Sequence, residues 1–299
     1  MKLSETRGLV VSLIVLLGQL FLSTQSRADV LSSIRPLQLL ASDLAPQSVR
    51  SDALLGPSDS PHHYALKPRD LLKLQQAELF IWVGPEFESL IAKAVEKQVD
   101  DQHLLTLDKL ADAELHSANK HSSNNHAHQH GQETHLWLSF VHSRQFAERI
   151  AEKMIQHYPK QQAQIKQKLD NLLSDLDREY HRAKTLFSSS DKAFAVYHDA
   201  WGLYVNELGL KQKFAVNQLP DQQLHARQLY ELKTQARGLS CLIADVDEFQ
   251  AAQKLAARID MQLVEVDLLA ARFSVPAEGS AYVAYMKSIA DGFQRCIEL

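Results

Sequence analysis

The chain has 299 residues, of which 45% are hydrophobic and 23% charged, and its formal net charge is −4 at pH 7. That length is enough for two lobes, and the composition is that of a globular protein. The acidic balance argues against nucleic acid as a partner, because binding to phosphates requires clustered lysine and arginine.

Residues 1–28 have the pattern of a secretory signal peptide. A basic start precedes an apolar run over residues 9–22, and Ser26-Arg27-Ala28 ends it as a small-residue cleavage site. A retained membrane anchor is the weaker alternative, because the run is short for a bilayer. Cleavage is expected to leave Asp29 first, without an N-terminal cysteine for a lipid, and to release the protein into a Gram-negative periplasm.

The first half of the chain alternates short apolar segments with helical patterns. Pro68 suits the first turn of a helix that runs to Ala77, since its fixed φ and missing N–H are tolerated there. The run ELFIWV at 78–83 predicts a buried strand that ends at Gly84-Pro85, and a helix is predicted over 86–97.

A histidine-rich tract follows, HSANKHSSNNHAHQHGQETH from His116 to His135, which holds six of the chain's 14 histidines. It has almost no apolar residues with which to form a core, so it is expected to be solvated, and clustered imidazoles suit metals such as zinc. The alternatives are an ordinary polar loop or an engineered tag, but tags are contiguous and terminal. Five residues of the tract are predicted to form an auxiliary, low-affinity metal loop: His116, His121, His126, His128 and His130.

The stretch 160–187 contains neither Gly nor Pro and predicts one long amphipathic helix. Its apolar residues recur at steps of three and four: Ile165, Leu169, Leu172, Leu176, Tyr180 and Ala183. About 25 residues at about 1.5 Å each give a helix about 40 Å long, enough to run along two lobes.

After this helix the strand and helix alternation resumes. Further strands are predicted at 193–197, 213–216, 241–244 and 263–266. The alternation predicts an α/β fold with a parallel sheet in each lobe, covered by helices on both faces. Ligands of such sheets bind outside the carboxyl ends of the strands, so the expected site is the cleft between the lobes.

Cys241 and Cys296 are the two cysteines of the chain. In an oxidising, exported compartment they are expected to form a disulfide. A pair of thiolate zinc ligands is the less favoured alternative, because neither has a second Cys or His at the short spacing of zinc ribbons.

Three histidines lie where a cleft site would need them. His62 lies shortly before Pro68, His135 precedes the apolar triplet of HLWLS, and His198 follows the strand AFAVY. Each alone is more simply a hydrogen-bonded histidine. Together, three neutral imidazoles would leave one position of a tetrahedral ion open, which favours zinc over manganese or calcium.

The motifs PHHYALKPRD, HLWLS and YHDAWG, in that order around a His-rich tract, resemble the ZnuA family, the zinc-binding periplasmic components of ABC importers. The resemblance extends over nearly the whole chain after residue 29. It implies two (β/α) lobes joined by a rigid helix, one zinc ion in the cleft, and delivery of that ion to a membrane permease. By motif position, the zinc ligands it implies are His62, His135 and His198.

The same resemblance leaves the fourth ligand open between water, a loop histidine and Asp267, the acid at the position where manganese-type relatives place a ligand. The chain departs from the family pattern at Pro61, where some members have Glu, at Phe140, where Pro is usual, and at Asp245-Val246, in place of an acidic-Pro pair.

The expected organisation is a signal peptide (1–28), an N-terminal lobe (29–158, with the His-rich loop 116–134), a connecting helix (159–187) and a C-terminal lobe (188–299). The predicted function is periplasmic zinc capture for an ABC permease by a monomer that is not an enzyme. A zinc buffer or chaperone is one alternative. A zinc hydrolase is another, but the chain has no HExxH, and Asp199 beside His198 is expected to cap a helix or to orient a ligand rather than to act as a base.

Overall fold

The computed structural model describes residues 28–57, 59–109, 135–217 and 226–299. The predicted signal peptide, apart from its last residue, and the five loop histidines between 116 and 130 lie outside these ranges, so those assignments stay predictions. Within the described ranges, no helix combines the length and apolar content needed to cross a bilayer.

Strands and helices alternate along both halves of the chain. The strands are β1 Val30–Ser32, β2 Ser51–Ala53, β3 Leu79–Trp82, β4 Leu104–Thr106, β5 Ala193–His198, β6 Lys211–Asn217, β7 Leu242–Ala244 and β8 Leu263–Glu265. The helices are α1 Arg35–Leu44, α2 Pro68–Gln76, α3 Ser89–Gln98, α4 Phe140–His157, α5 Gln162–Phe187, α6 Gly202–Leu208, α7 Ala226–Gln235, α8 Phe249–Ile259 and α9 Ala281–Ile297. Short 3₁₀ turns occupy Asp101–His103, Leu136–Leu138 and Pro159–Gln161.

The strands form two four-stranded sheets, ordered β2-β1-β3-β4 and β6-β5-β7-β8, with parallel pairing throughout. The two sheets have the same strand order. In each, the second strand of the lobe lies on one side of the first strand, and the remaining two strands lie on its other side. The predicted α/β class with two parallel sheets is confirmed. Three strands of the first sheet, β1, β2 and β4, were not predicted, although the equally short β7 and β8 were.

Helix α5 is the predicted long helix. It begins two residues later than expected because Pro159 starts a 3₁₀ turn, and its 26 residues make it about 39 Å long. Its buried face packs against α1 and α4 from the first half of the chain and against α6 and α9 from the second. The connecting helix is thus confirmed, whereas the lobe boundaries at residues 158 and 188 stay a prediction.

The last helix, α9, ties the two lobes together. Asp43 at the end of α1 accepts hydrogen bonds from the backbone N–H groups of Ala281 and Tyr282, both at 2.9 Å, and from the Ser280 hydroxyl. Arg35 also donates to the Phe273 carbonyl at 2.8 Å. One continuous hydrophobic core extends from the first sheet through α5 and α9 to the second sheet.

The predicted disulfide is present between Cys241, just before β7, and Cys296 in α9. The two Cα atoms are 5.4 Å apart, and both residues are fully buried. The alternative of two thiolate zinc ligands is therefore wrong, because each sulfur is bonded to the other.

Candidate metal centre

His62, His135 and His198 come together at the cleft between the two sheets. Each offers one ring nitrogen, and these nitrogens all lie within 4.8 Å of one another. The ring centroids are 6.1 Å apart for His62 and His135, 5.9 Å for His62 and His198, and 5.1 Å for His135 and His198. No other group of metal-ligating side chains this close occurs in the part of the chain that the structure describes.

His198 is the last residue of β5 and is 5% exposed. Strand β5 pairs with β6 on one side and β7 on the other, so His198 lies where the order of the second sheet reverses. Where the strand order reverses, the connections from the two neighbouring strands leave in opposite directions and open a crevice at the carboxyl ends of those strands. This topology places the imidazole in that crevice.

His135 opens the 3₁₀ turn Leu136–Leu138 that leads into α4. The indole N–H of Trp137 donates to the Leu268 carbonyl at 3.3 Å, and the Ser139 hydroxyl caps α4 by accepting from the His142 N–H at 3.0 Å. These bonds, together with the burial of Trp137, fix the backbone on which His135 stands.

Glu207 of α6 fastens this turn to the second lobe. Its carboxylate accepts hydrogen bonds from the Phe140 N–H, at 2.8 Å, and from the Ser139 hydroxyl. The departure from the family pattern at Phe140 thus has a structural counterpart, since a proline there would lack the N–H that Glu207 binds. Helix α6 follows His198 closely, so Glu207 couples the positions of two of the three imidazoles.

His62 lies in the loop between β2 and α2, and its position depends on Asp70. The Asp70 carboxylate accepts from the Tyr64 hydroxyl and from the Lys67 N–H, both at 2.8 Å, and so links the loop to the first turn of α2. Asp70 is 1% exposed, and Pro68 begins the helix as predicted. The loop carrying His62 is therefore held at its downstream end.

The three histidines all lie in connections that lead from a strand to a helix, although only His198 directly ends a strand. His62 follows β2 by nine residues, and His135 comes after β4 and the segment outside the described ranges. Of the three, only His198 was predicted to follow a strand, and it is the last residue of β5. Parallel strands direct all such connections to the same edge of their sheet, which explains why the three still meet.

Phe87 and Leu268 form apolar walls beside the three imidazoles. Phe87 packs edge-on against His62 and His135, with centroid distances of 5.1 and 5.4 Å. The chain reaches Phe87 by a sharp turn at Gly84, whose φ is +151° and where an added Cβ would lie 2.0 Å from a carboxylate oxygen of Asp108. The histidines line a cavity of about 140 Å³, with Leu268 on its wall.

Burial lowers the pKa of all three imidazoles. His135 has a pKa well below its usual value, first because it is removed from water and then because His198 and His62 are close. Burial, followed by the proximity of His62, lowers the pKa of His198 to about 4. The pKa of His62 falls through burial and through its neighbour His63. The three rings are therefore neutral at pH 7, which is the state that binds a metal ion.

The acids near the cavity differ from those the sequence suggested. Asp267 does not line the cavity, and its two carboxylate oxygens accept from the N–H groups of Ala271 and Arg272 at 2.7 and 2.8 Å. Asp199 does not cap α6 but accepts from the Gln212 side chain at 3.2 Å. The expectation that Asp199 caps the following helix is therefore not met, whereas Asp267 as a fourth ligand stays a prediction.

Three other acids, Asp245, Asp247 and Glu248, line the cavity from the loop after β7. Asp245 is buried and accepts from the Leu268 N–H at 2.8 Å, and burial raises its pKa to about 7. Glu248 approaches His198, with 3.9 Å between Oε1 and Nδ1. Sequence reasoning missed Glu248, although an acidic run directly after a strand next to that of His198 was an available signal.

This donor set fits a zinc ion. Three neutral nitrogen donors converge from separate loops, and a small borderline metal accepts them in a tetrahedral arrangement with one position left for water. Calcium and magnesium would require several oxygen ligands, which the three imidazoles do not supply.

Comparison with known proteins places this site in a family context. A sequence model of the ZnuA family, "Zinc-uptake complex component A periplasmic", matches residues 30–296. The chain is 28% identical over 308 residues to the high-affinity zinc uptake system protein ZnuA of Haemophilus ducreyi, covering 95% of this chain and 98% of that protein.

Solved structures share the fold. A zinc-bound deletion mutant of ZnuA superposes with a TM-score of 0.71 at 20% identity, covering 91% of this chain and 98% of that one. The periplasmic zinc-binding protein TroA of Treponema pallidum gives a TM-score of 0.74 at 16% identity, covering 90% and 98% of the two chains.

Proposed function

The chain belongs to the ZnuA family of periplasmic zinc-uptake components, and from that premise we propose that His62, His135 and His198 bind the one zinc ion that it captures and passes on. The protein is the periplasmic zinc-binding component of a zinc uptake system, which works with an ABC permease. The ion is the cargo of this protein, so it must be held tightly and still be released.

The observation that carries the ligand assignment is the convergence of three buried imidazoles from three separate loops. We assign the fourth position to water, because Asp267 already binds two backbone N–H groups. Diffraction at the zinc edge from zinc-loaded crystals tests this assignment. An anomalous peak among the three rings is expected, and a peak elsewhere as the tightest site would contradict it.

The lowered pKa values predict how zinc binding depends on pH. Protons compete with zinc only near and below the pKa of each free imidazole, so when the pH falls from 7.5 to about 5.5 the cleft is expected to lose a smaller share of its zinc than histidines of ordinary pKa do. Histidines with an ordinary pKa near 6.5 are mostly protonated at that pH and release their zinc. Equilibrium dialysis with metal analysis at the two pH values measures this difference. A cleft site lost in parallel with the weaker sites would contradict the assignment.

We propose that the loop histidines from His116 to His130 bind additional zinc weakly and are not needed for the tight site. Binding there must also offset the entropy of ordering a polar segment, whereas the cleft is largely preformed. Deleting residues 117–130, which spares His135, is expected to lower the total zinc stoichiometry and to leave one tight equivalent. Isothermal titration of both proteins measures it. Loss of tight binding on deletion, or only one equivalent in the full-length protein at neutral pH, would contradict the proposal.

We further propose that residues 1–28 are a cleaved signal peptide and that the mature protein is a monomer. The charged start, apolar run and Ser-Arg-Ala exit support the signal peptide, and N-terminal sequencing of the exported protein tests it.

All three proposed ligands come from a single chain, which supports the monomer. Light scattering of the zinc-loaded protein tests it.

Two alternative functions, a zinc buffer and a zinc hydrolase, would use the same three histidine ligands. A zinc buffer would support growth under chelation without the permease, whereas uptake requires both proteins. Growth of the single and double deletion strains therefore distinguishes a buffer from an uptake component.

A hydrolase needs a base beside the metal-bound water. We propose that the protein is not an enzyme, and the test is ester or lactam hydrolysis with zinc present.

A further inference from the structure

We propose that Glu248 is a positioning residue of the zinc site, holding the Nδ1 proton of His198 so that Nε2 points to the metal. This inference rests on the proposed function and adds a residue to it. Glu248 Oε1 lies 3.9 Å from His198 Nδ1. It matches none of the ligand positions implied by the family motifs.

The backbone holds Glu248 in place. It is the residue directly before α8, its N–H donates to the Asp245 carbonyl at 3.2 Å, and its carbonyl accepts from the Ala252 N–H at 2.9 Å. Its side chain makes no capping bond to α8. Glu248 lines the same cavity as the three histidines.

Burial strengthens the electrostatic interaction between His198 and Glu248. The side chains of His198 and Glu248 are only 6% and 12% exposed, so water screens their interaction weakly. A metal-bound imidazole almost always donates its second N–H to a carboxylate, a backbone carbonyl or a water, which fixes the ring and raises its basicity. A charge-assisted hydrogen bond is about 2.8 Å long, so zinc binding is expected to draw the two atoms about 1 Å closer.

Topology explains why Glu248 and not Asp267 has this role. The loop carrying Glu248 leaves β7, which pairs directly with β5, the strand that ends at His198. Asp267 follows β8, one strand further away, and binds Ala271 and Arg272 instead. The carboxylate nearest the imidazole is thus supplied by the adjacent strand of the sheet.

The test compares variants of the full mature chain, with a chelator competing for the tight equivalent. Glu248→Ala removes the acceptor and is expected to lower zinc affinity by about 10- to 100-fold. Glu248→Gln keeps an acceptor but loses the charge, so its loss should be smaller. Asp260→Asn is the matched control, because it removes an exposed charge at the far end of α8, outside the cavity, and should change affinity by less than about threefold.

A spectroscopic measurement separates positioning from a merely structural effect. In ¹⁵N-histidine spectra of the zinc-loaded wild type, His198 is expected to bind zinc through Nε2 and to show a downfield, exchange-protected Nδ1 proton. Glu248→Gln should retain that proton signal, and Glu248→Ala should lose its shift and protection. Far-ultraviolet circular dichroism checks that each variant is folded, and Glu248→Gln decides the question if Glu248→Ala is not.

The outcomes distinguish this inference from the proposed function. Zinc bound to Nδ1 of His198, or a Glu248→Ala variant with wild-type affinity and an unchanged Nδ1 proton, would overturn the role of Glu248 alone. A wild-type protein that lacks a tight zinc site, or keeps it after His198→Ala, would overturn the proposed function itself.

Discussion

Replacing His135 with alanine is expected to weaken zinc binding at least about 100-fold, or by about 2.7 kcal/mol. Loss of a residue that only supports a metal ligand typically costs about 10- to 100-fold, so loss of a direct donor should cost at least the upper end of that range. The same result is expected for His62→Ala and His198→Ala, because the three rings surround one point. Competition with a chelator of known affinity measures the change.

A matched control is available beside the site. His63 follows His62 directly and lines the same cavity, but it is exposed and does not belong to the group of three. His63→Ala should leave zinc affinity nearly unchanged. Using the variant that lacks residues 117–130 as the background keeps loop histidines from masking the loss. Wild-type affinity and stoichiometry in all three single variants would show that the ligand assignment is wrong.

Removing the disulfide with the double substitution Cys241→Ala and Cys296→Ala is expected to lower the free energy of unfolding by about 4 kcal/mol. The bond closes a loop with a sequence separation of 55, and the chain-entropy estimate for a loop of that size gives this magnitude. Alanine is chosen because both positions are fully buried, where a serine hydroxyl would add its own cost. Denaturant unfolding monitored by circular dichroism measures the change.

Zinc affinity should respond much less to that change than stability does. The disulfide joins the segment before β7 to α9, and neither cysteine lines the metal cavity. Chemical reduction of the wild-type protein is the control, since it should reproduce the destabilisation without altering the sequence. Titration of two free thiols in the unreduced, denatured protein would contradict the presence of the bond, and a loss of zinc binding as large as that of His135→Ala would contradict its separation from the site.

Local patterns in the sequence were sufficient for several parts of the structure. The absence of Gly and Pro over residues 160–187, together with apolar residues at helical steps, predicted α5, because helix formation depends on neighbours three and four residues apart. The strands at β3 and β5 were predicted because their apolar runs are long enough to be distinctive. The disulfide was predicted because two cysteines of an exported protein are expected to pair in an oxidising compartment.

Long-range packing decided the rest. Strands β1, β2 and β4 have three residues each, and such a segment becomes a strand only through its pairing with neighbours. Sequence motifs singled out His62, His135 and His198, but 73 and 63 residues separate them, and their convergence depends on parallel sheets that direct the connections to one edge. The family resemblance offered Asp267 as one of three possible fourth ligands, whereas the adjacency of β5 and β7 brings Glu248 to His198. A sequence specifies which groups are available, but the distances between their atoms depend on how distant segments pack.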